Sequence, residues 1–268
     1  MLHGRVFMKK IWVFLTAILY IALGAAYGAN RYFLTDSATG FSESPYWLQY
    51  LLLAAGLAFM LPLIFAIRPS QRVELGGASF RSLLMVLGVW FAVASIAEIV
   101  QHGADSALYS IHAVLQLGTA AWVIWLAVWS KNHAAPPRHS ALWGILACAS
   151  LYLLVPMRFM THQSSIVRVG NTMQLLSALA ALLFAASCLR RVYLPSGNYA
   201  RQLCATGLCA FLLCSCQGAA ALLTASRDSV TAQNYATNFA LLVLGIVGLY
   251  TAVCCAKESV GQDQAQRQ

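Results

Sequence analysis

Eight long apolar stretches alternate with short polar connectors along this chain of 268 residues. A helix needs about 20 mostly apolar residues to cross the hydrocarbon core of a bilayer, and each stretch approaches that length. The stretches are residues 11–29, 46–67, 82–101, 108–129, 141–157, 170–189, 202–224 and 237–256. The pattern predicts an all-α fold, a polytopic integral membrane bundle of about eight transmembrane helices. No connector is long enough for a soluble domain, so residues 1–268 are predicted to form a single transmembrane domain.

Prolines and small residues refine the predicted helices. Proline lacks the backbone N–H that a helix interior uses, so we expect the fifth helix to end at Pro156 and the second to kink at Pro62. Helices associate in lipid through faces of small residues. The seventh helix carries such a face, formed by Gly207, Ala210 and Cys214. We expect that face to contact protein, and we expect Val243 of the eighth helix to contact lipid.

The composition strengthens the membrane assignment. Hydrophobic residues make up 60% of the chain and charged residues 9%, whereas an average soluble domain is about 25% charged. This small number of charges cannot cover the surface of a water-soluble domain. We therefore expect the protein to lie in a lipid bilayer. The eight cysteines all lie in apolar stretches, which argues against a disulfide framework.

The positive charges are distributed unevenly between the two sets of connectors. Of the 17 Lys and Arg residues, 13 lie at the N-terminus, in 68–81, 130–140 and 190–201, and in the polar tail 257–268. Cytoplasmic loops carry the excess of Lys and Arg, so both termini and the tail are predicted to be cytoplasmic in a bacterial-type cytoplasmic membrane. The formal net charge of +9 is explained by these short loops, and no nucleic-acid partner is expected.

Two features of the N-terminus leave alternatives open. Met8-Lys9-Lys10 ahead of an apolar stretch resembles a translation start, so either Met1 or Met8 begins the chain. The same stretch also resembles a signal peptide, but its apolar run continues to Ala29, which favours an uncleaved first helix.

A faint internal similarity relates the halves 1–140 and 141–268. Arg81 corresponds to Arg201 and Glu98 to Gln217 at an offset near 120 residues. Four helices in each half would make the halves a parallel 4+4 repeat, related by an axis along the membrane normal. Chance similarity between two apolar segments is the alternative.

Glu98 is the one carboxylate inside a predicted span. Placing a charge at the centre of a bilayer costs roughly 2.5–3.5 kcal/mol on insertion scales, so an acid there is a candidate ligand or proton carrier. Extension to the membrane surface is the alternative. The short connector after the third helix makes the third and fourth helices neighbours, so His112 can pair with Glu98. A structural hydrogen bond between the two helices is the other interpretation.

Polar residues of several spans share one depth in the outer half of the bundle. Because polar groups need partners in hydrocarbon, we expect them to converge on a small polar or cationic ligand, with Glu98 as its charge partner. Histidine changes charge near neutral pH, so the pair would respond to pH. The candidate ligand-binding residues are Gln49, Glu98, His112, Gln116, Asn171, Gln174 and Gln217.

No motif in the chain specifies catalysis. Cys214 and Cys216 lie two residues apart and point in different directions on a helix, so they cannot hold one metal ion together. We expect no metal and no cofactor. The first candidate function is a small-solute transporter or membrane ligand-binding protein. The second is a non-catalytic partner or sensory subunit that binds another membrane protein, and the third is a lipid-active enzyme, which the missing motifs disfavour.

The predicted topology can be tested with reporter fusions. Fusions after residues 75, 135, 195 and 262 should report the cytoplasm, and fusions after residues 40, 105, 163 and 230 should report the outside. The reason is the Lys and Arg excess in the first set of connectors. An outside signal from the fusion after residue 135 would contradict the eight-span order.

Overall fold

A computed structural model describes residues 2–35, 45–67, 77–102, 106–129, 141–162, 169–194, 199–224 and 232–257. Helices occupy nearly all of these ranges, with no strand among them. The helices are α1 (Leu2–Phe33), α2 (Tyr46–Phe59), α3 (Leu61–Ala66), α4 (Ala78–His102), α5 (Ala107–Trp129), α6 (Ala141–His162), α7 (Val169–Tyr193), α8 (Ala200–Ala210), α9 (Gln217–Thr224) and α10 (Ala232–Lys257). A π-helical segment, Phe211–Cys216, joins α8 to α9 in one continuous helical span.

Eight helical stretches in the described part of the chain are long and apolar enough to cross a membrane. They confirm the predicted all-α polytopic bundle. The stretches are Ile11–Phe33, Tyr46–Ala66, Ala78–His102, Ala107–Trp129, Ala141–Met160, Val169–Tyr193, Ala200–Leu223 and Gln233–Ala256. The protein is therefore a multi-pass membrane protein.

The prediction that the fifth helix ends at Pro156 is wrong. α6 continues through Pro156 to His162. Membrane helices tolerate an internal proline because neighbouring groups can satisfy the carbonyl that the missing N–H leaves. The extension places Arg158 inside the helix instead of in a connector, which matters for the candidate site.

The predicted kink in the second span is confirmed. α2 ends at Phe59, Met60 forms a turn, and α3 begins at Leu61 with Pro62 in its first turn. A proline costs little in a first turn, where the backbone N–H has no partner within the helix. The other end of α3 is closed by Arg201, whose Nε donates to the carbonyl of Ile67 at 2.6 Å.

The last helix, α10, lies at the centre of the packing. It contacts α4, α1, α7 and the whole seventh span, which runs from α8 to α9. Around it, α4 packs on α5, α5 on α6, α6 on α7 and α7 on α8, whereas α2 packs mainly on α1. α4 and α7 therefore contact α10 directly, whereas α5 packs on α4 and α6 packs on α7.

Small residues set the spacing between α8 and α10. A Cβ added to Gly248 would lie 2.5 Å from the carbonyl oxygen of Gly207, so the two backbones touch. Ala210 and Cys214 have no exposed surface, which confirms that this face contacts protein. The expectation that Val243 contacts lipid is wrong, because Val243 is buried, with only 4% of its surface exposed. Since α10 is central, neighbouring helices cover more than one of its faces.

Gly248→Ala should destabilise the protein by about 1–3 kcal/mol, because the added methyl group meets backbone that can move only if the helices separate. Gly118→Ala on α5 is the matched control, since no atom beyond the local backbone of α5 lies within 4 Å of the added Cβ. It should be neutral or slightly stabilising, because alanine favours helix. Thermal unfolding can be followed with a thiol-reactive dye, since several cysteines are fully buried. Equal melting temperatures for the two variants would contradict the close approach of the α8 and α10 backbones.

Candidate functional site

Glu98 and His112 form a buried pair between α4 and α5. The Oε2 atom of Glu98 lies 2.7 Å from Nδ1 of His112, and the two residues are 1% and 2% exposed. The expectation that these residues meet is therefore confirmed. The position of Glu98 on the buried face of α4 excludes extension of its side chain to the membrane surface.

The register of α4 against α5 produces this pair. The rings of His102 and Tyr109 stack with centroids 4.0 Å apart near the connector. Two turns away from that stack, the hydroxyl of Ser95 donates to the carbonyl of Ala113 at 2.7 Å. The Glu98–His112 pair lies between these two contacts and is the middle one of three interactions that join α4 to α5. Such a helix pair holds the carboxylate in a defined place.

Two acceptor oxygens beside this pair are buried without a hydrogen-bond partner among the described residues. One is Oε1 of Glu98, and the other is Oε1 of Gln116, one turn along α5 from His112. A buried acceptor with no donor carries an unfavourable desolvation cost of about 1–3 kcal/mol. Both oxygens therefore keep an unused capacity to accept a hydrogen bond.

The polar face of α5 continues from Gln116 toward α6. The hydroxyl of Thr119 lies 2.8 Å from that of Ser150, and Ser150 also donates to the carbonyl of Ala147. Both residues are buried. α5 therefore presents polar side chains on three successive turns, of which only the Gln116 turn has no side-chain partner among the described residues.

A second buried polar cluster surrounds Arg158 on α6. Its Nη1 donates to the carbonyl of Gln174 at 2.6 Å and to the hydroxyl of Ser177 at 2.8 Å, both on α7. Its Nη2 donates to Oδ1 of Asn238 on α10 at 2.8 Å. Arg158 is 8% exposed, so one side chain joins three helices inside the bundle. We call Arg158, Gln174, Ser177 and Asn238 the arginine cluster.

The π-helical segment of the seventh span contacts the arginine cluster. The thiol of Cys214 donates to the carbonyl of Ser177 at 3.2 Å, and the hydroxyl of Ser215 donates to the carbonyl of Leu242. A π-helical turn in a long helix often marks a functional region. Gln217 follows the segment directly, is 7% exposed, and has an Oε1 atom without a partner among the described residues.

The remaining predicted ligand residues lie at different places in the bundle. Gln174 belongs to the arginine cluster through its backbone carbonyl, and Asn171 lies half-buried one turn before it on α7. Gln49 lies half-buried on α2, the helix that packs mainly on α1. The structure thus brings Glu98 and His112 into contact and groups Gln174 with an arginine instead.

Sequence reasoning missed Arg158 because it placed the residue in a connector after Pro156. The apolar residues Phe159 and Met160 follow Arg158, and they are the sequence signal that the helix continues. Neither cluster resembles a metal site, since the described residues contain no group of three or more His, Cys, Asp and Glu side chains. The arrangement offers charged groups and hydrogen-bonding groups, which suit the binding of a polar ligand.

The Glu98–His112 contact should give a measurable coupling energy. We expect Glu98→Ala and His112→Ala each to lower the free energy of unfolding, because either leaves a buried polar group without its partner. The double variant should cost less than the sum of the two, with a coupling of about 1–3 kcal/mol. Chemical unfolding in detergent measures all four proteins of this cycle. Additive effects would show that the two side chains do not interact.

No protein-family model, no curated protein and no solved structure matches this chain. Its function is therefore inferred from the two buried clusters. One presents a carboxylate between α4 and α5, and the other presents a guanidinium among α6, α7 and α10.

Proposed function

We propose that this protein binds a small polar or cationic solute within its transmembrane bundle, as a transporter or a membrane ligand-binding protein. The observation that carries the proposal is the Glu98 carboxylate, which is 1% exposed and has an Oε1 atom without a donor among the described residues. An ionisable group in a membrane span is costly, and such groups commonly mark ion and substrate pathways.

The chemistry of the site favours a donor-rich ligand. His112 contacts one carboxylate oxygen of Glu98, and no other ion pair to Glu98 occurs within the described helices. Oε1 of Glu98 and Oε1 of Gln116 are then acceptors for ammonium or hydroxyl groups of a solute. A small cation satisfies both the charge and the hydrogen-bonding capacity of these groups.

His112 holds the carboxylate in place for such a ligand. Its Nδ1 lies 2.7 Å from Oε2 of Glu98, so one carboxylate oxygen is positioned by the protein. The other, Oε1, keeps its capacity to accept a hydrogen bond from a solute.

The distribution of Lys and Arg supports an orientation for the proposed site. The excess at the termini and in alternate connectors favours a cytoplasmic membrane with both termini in the cytoplasm. The Glu98 pair then lies in the outer half, so the solute enters from the outside.

Glu98→Gln tests the proposal because it removes the charge and keeps the shape. Purified protein is titrated with the chlorides of ammonium, methylammonium, guanidinium and choline at constant ionic strength, and the melting temperature is recorded. At least one cation should stabilise the wild type, and the same cation should stabilise Glu98→Gln much less. The melting temperature without added cation should change little, since glutamine can still accept a hydrogen bond from His112.

Ser95→Ala is the matched control for this experiment. It removes a hydrogen bond from the same helix interface without changing its charge. We expect a lower melting temperature and an unchanged response to the cation. Equal stabilisation of wild type and Glu98→Gln by every effective cation would refute the proposed role of Glu98.

A further inference from the structure

The charge of Arg158 has no carboxylate partner within the described helices. Glu98 is the one acidic residue in the described ranges, and its ion-pair partner is His112 on α5. The acceptors around Arg158 are a carbonyl, a hydroxyl and an amide, all of them neutral. A buried charge is costly unless it is paired, so a guanidinium held by neutral groups alone favours an external anion.

The hydrogen bonds of Arg158 leave donors available. A guanidinium carries five N–H groups. Three of these N–H groups, two on Nη1 and one on Nη2, donate to the other members of the arginine cluster. The Nε–H and the second Nη2–H have no acceptor among the described residues. Two donors of one guanidinium match two oxygens of a carboxylate or a phosphate.

The surroundings of Arg158 also favour an anion. α7 begins at Val169 and has no acidic residue in its first turn, so the positive end of its dipole is not compensated there. Arg31, at the end of α1, lies beside the same turn, with Nη1 3.9 Å from the position of a Cβ on Gly170. Two arginines from different helices thus approach the first turns of α7, one at Gly170 and the other at Gln174.

We propose that Arg158 binds an oxyanion, a carboxylate or a phosphate group, where α6 and α10 meet the first turns of α7. This site is separate from the proposed cation site at Glu98, because it is built from different helices and has the opposite charge. A phospholipid headgroup and a small soluble anion both supply the required group. The arginine cluster holds the guanidinium in place, and the anion supplies the missing negative charge.

A purely structural role for Arg158 is the rival interpretation, since the residue joins three helices. Asn238→Asp separates the two. It places a carboxylate oxygen where Oδ1 now lies, 2.8 Å from Nη2 of Arg158, and so neutralises the guanidinium from within the protein. In this variant Arg158 still joins the three helices, and its contact with α10 is stronger. Its charge is already paired, so it no longer favours an external anion.

The experiment uses the full chain, purified in a maltoside detergent that contains no phosphate. Inorganic phosphate is one probe and phosphatidylglycerol is the other, each titrated while the melting temperature and the dissociation constant are measured. We expect the wild type to bind at least one probe. Binding of phosphate alone identifies a soluble anion, and binding of phosphatidylglycerol alone identifies a lipid headgroup. Asn238→Asp should bind roughly 10- to 100-fold more weakly while its melting temperature without probe is equal or higher.

Arg158→Gln should weaken binding by a similar factor, and Asn238→Asp keeps the test decisive if Arg158→Gln does not fold.

Two variants serve as controls. Arg201→Gln removes an arginine that also donates to carbonyls, and Asn234→Asp adds the same charge one turn earlier on α10, at an exposed position. Both should bind the probe as the wild type does. The proposal is overturned if the wild type binds neither probe, or if Asn238→Asp binds as tightly as the wild type.

Discussion

Hydrocarbon offers polar groups no hydrogen-bond partner, and this constraint organises the whole bundle. Backbone groups are satisfied within helices, which explains why the described chain is almost entirely helical. Polar side chains must find partners in neighbouring helices. Glu98 finds His112 across α4 and α5, and Arg158 finds acceptors on α7 and α10. Each contact fixes the relative position of the helices that contribute to it.

Close packing around α10 makes these contacts possible. Gly207 and Gly248 bring the backbones of α8 and α10 together, and α4, α1 and α7 also contact this central helix. In lipid, helix association depends on such van der Waals contact and on interhelical hydrogen bonds more than on hydrophobic burial. The central position of α10 explains why Asn238 can reach an arginine on α6.

The two clusters carry opposite charge and lie at different helix interfaces. A carboxylate with a free acceptor oxygen favours a cation, and a guanidinium among neutral acceptors favours an anion. His112 contacts Glu98 between α4 and α5, and Asn238 of α10 contacts Arg158 of α6, so the two clusters share no side chain. The proposed cation site and the proposed anion site can therefore be tested one at a time with conservative substitutions.

The sequence by itself determined the fold class and the number of spans, and it predicted that Glu98 and His112 can pair. Hydropathy and length define a membrane span almost without tertiary information, and the short connector after α4 makes α4 and α5 neighbours. Only the tertiary structure revealed the arginine cluster. A proline argued for a helix end, but α6 continues through it, packs against α7 and buries Arg158, which also donates to Asn238 on α10. Shared depth also could not decide which polar residues meet, because the direction in which a helix face points depends on its neighbours.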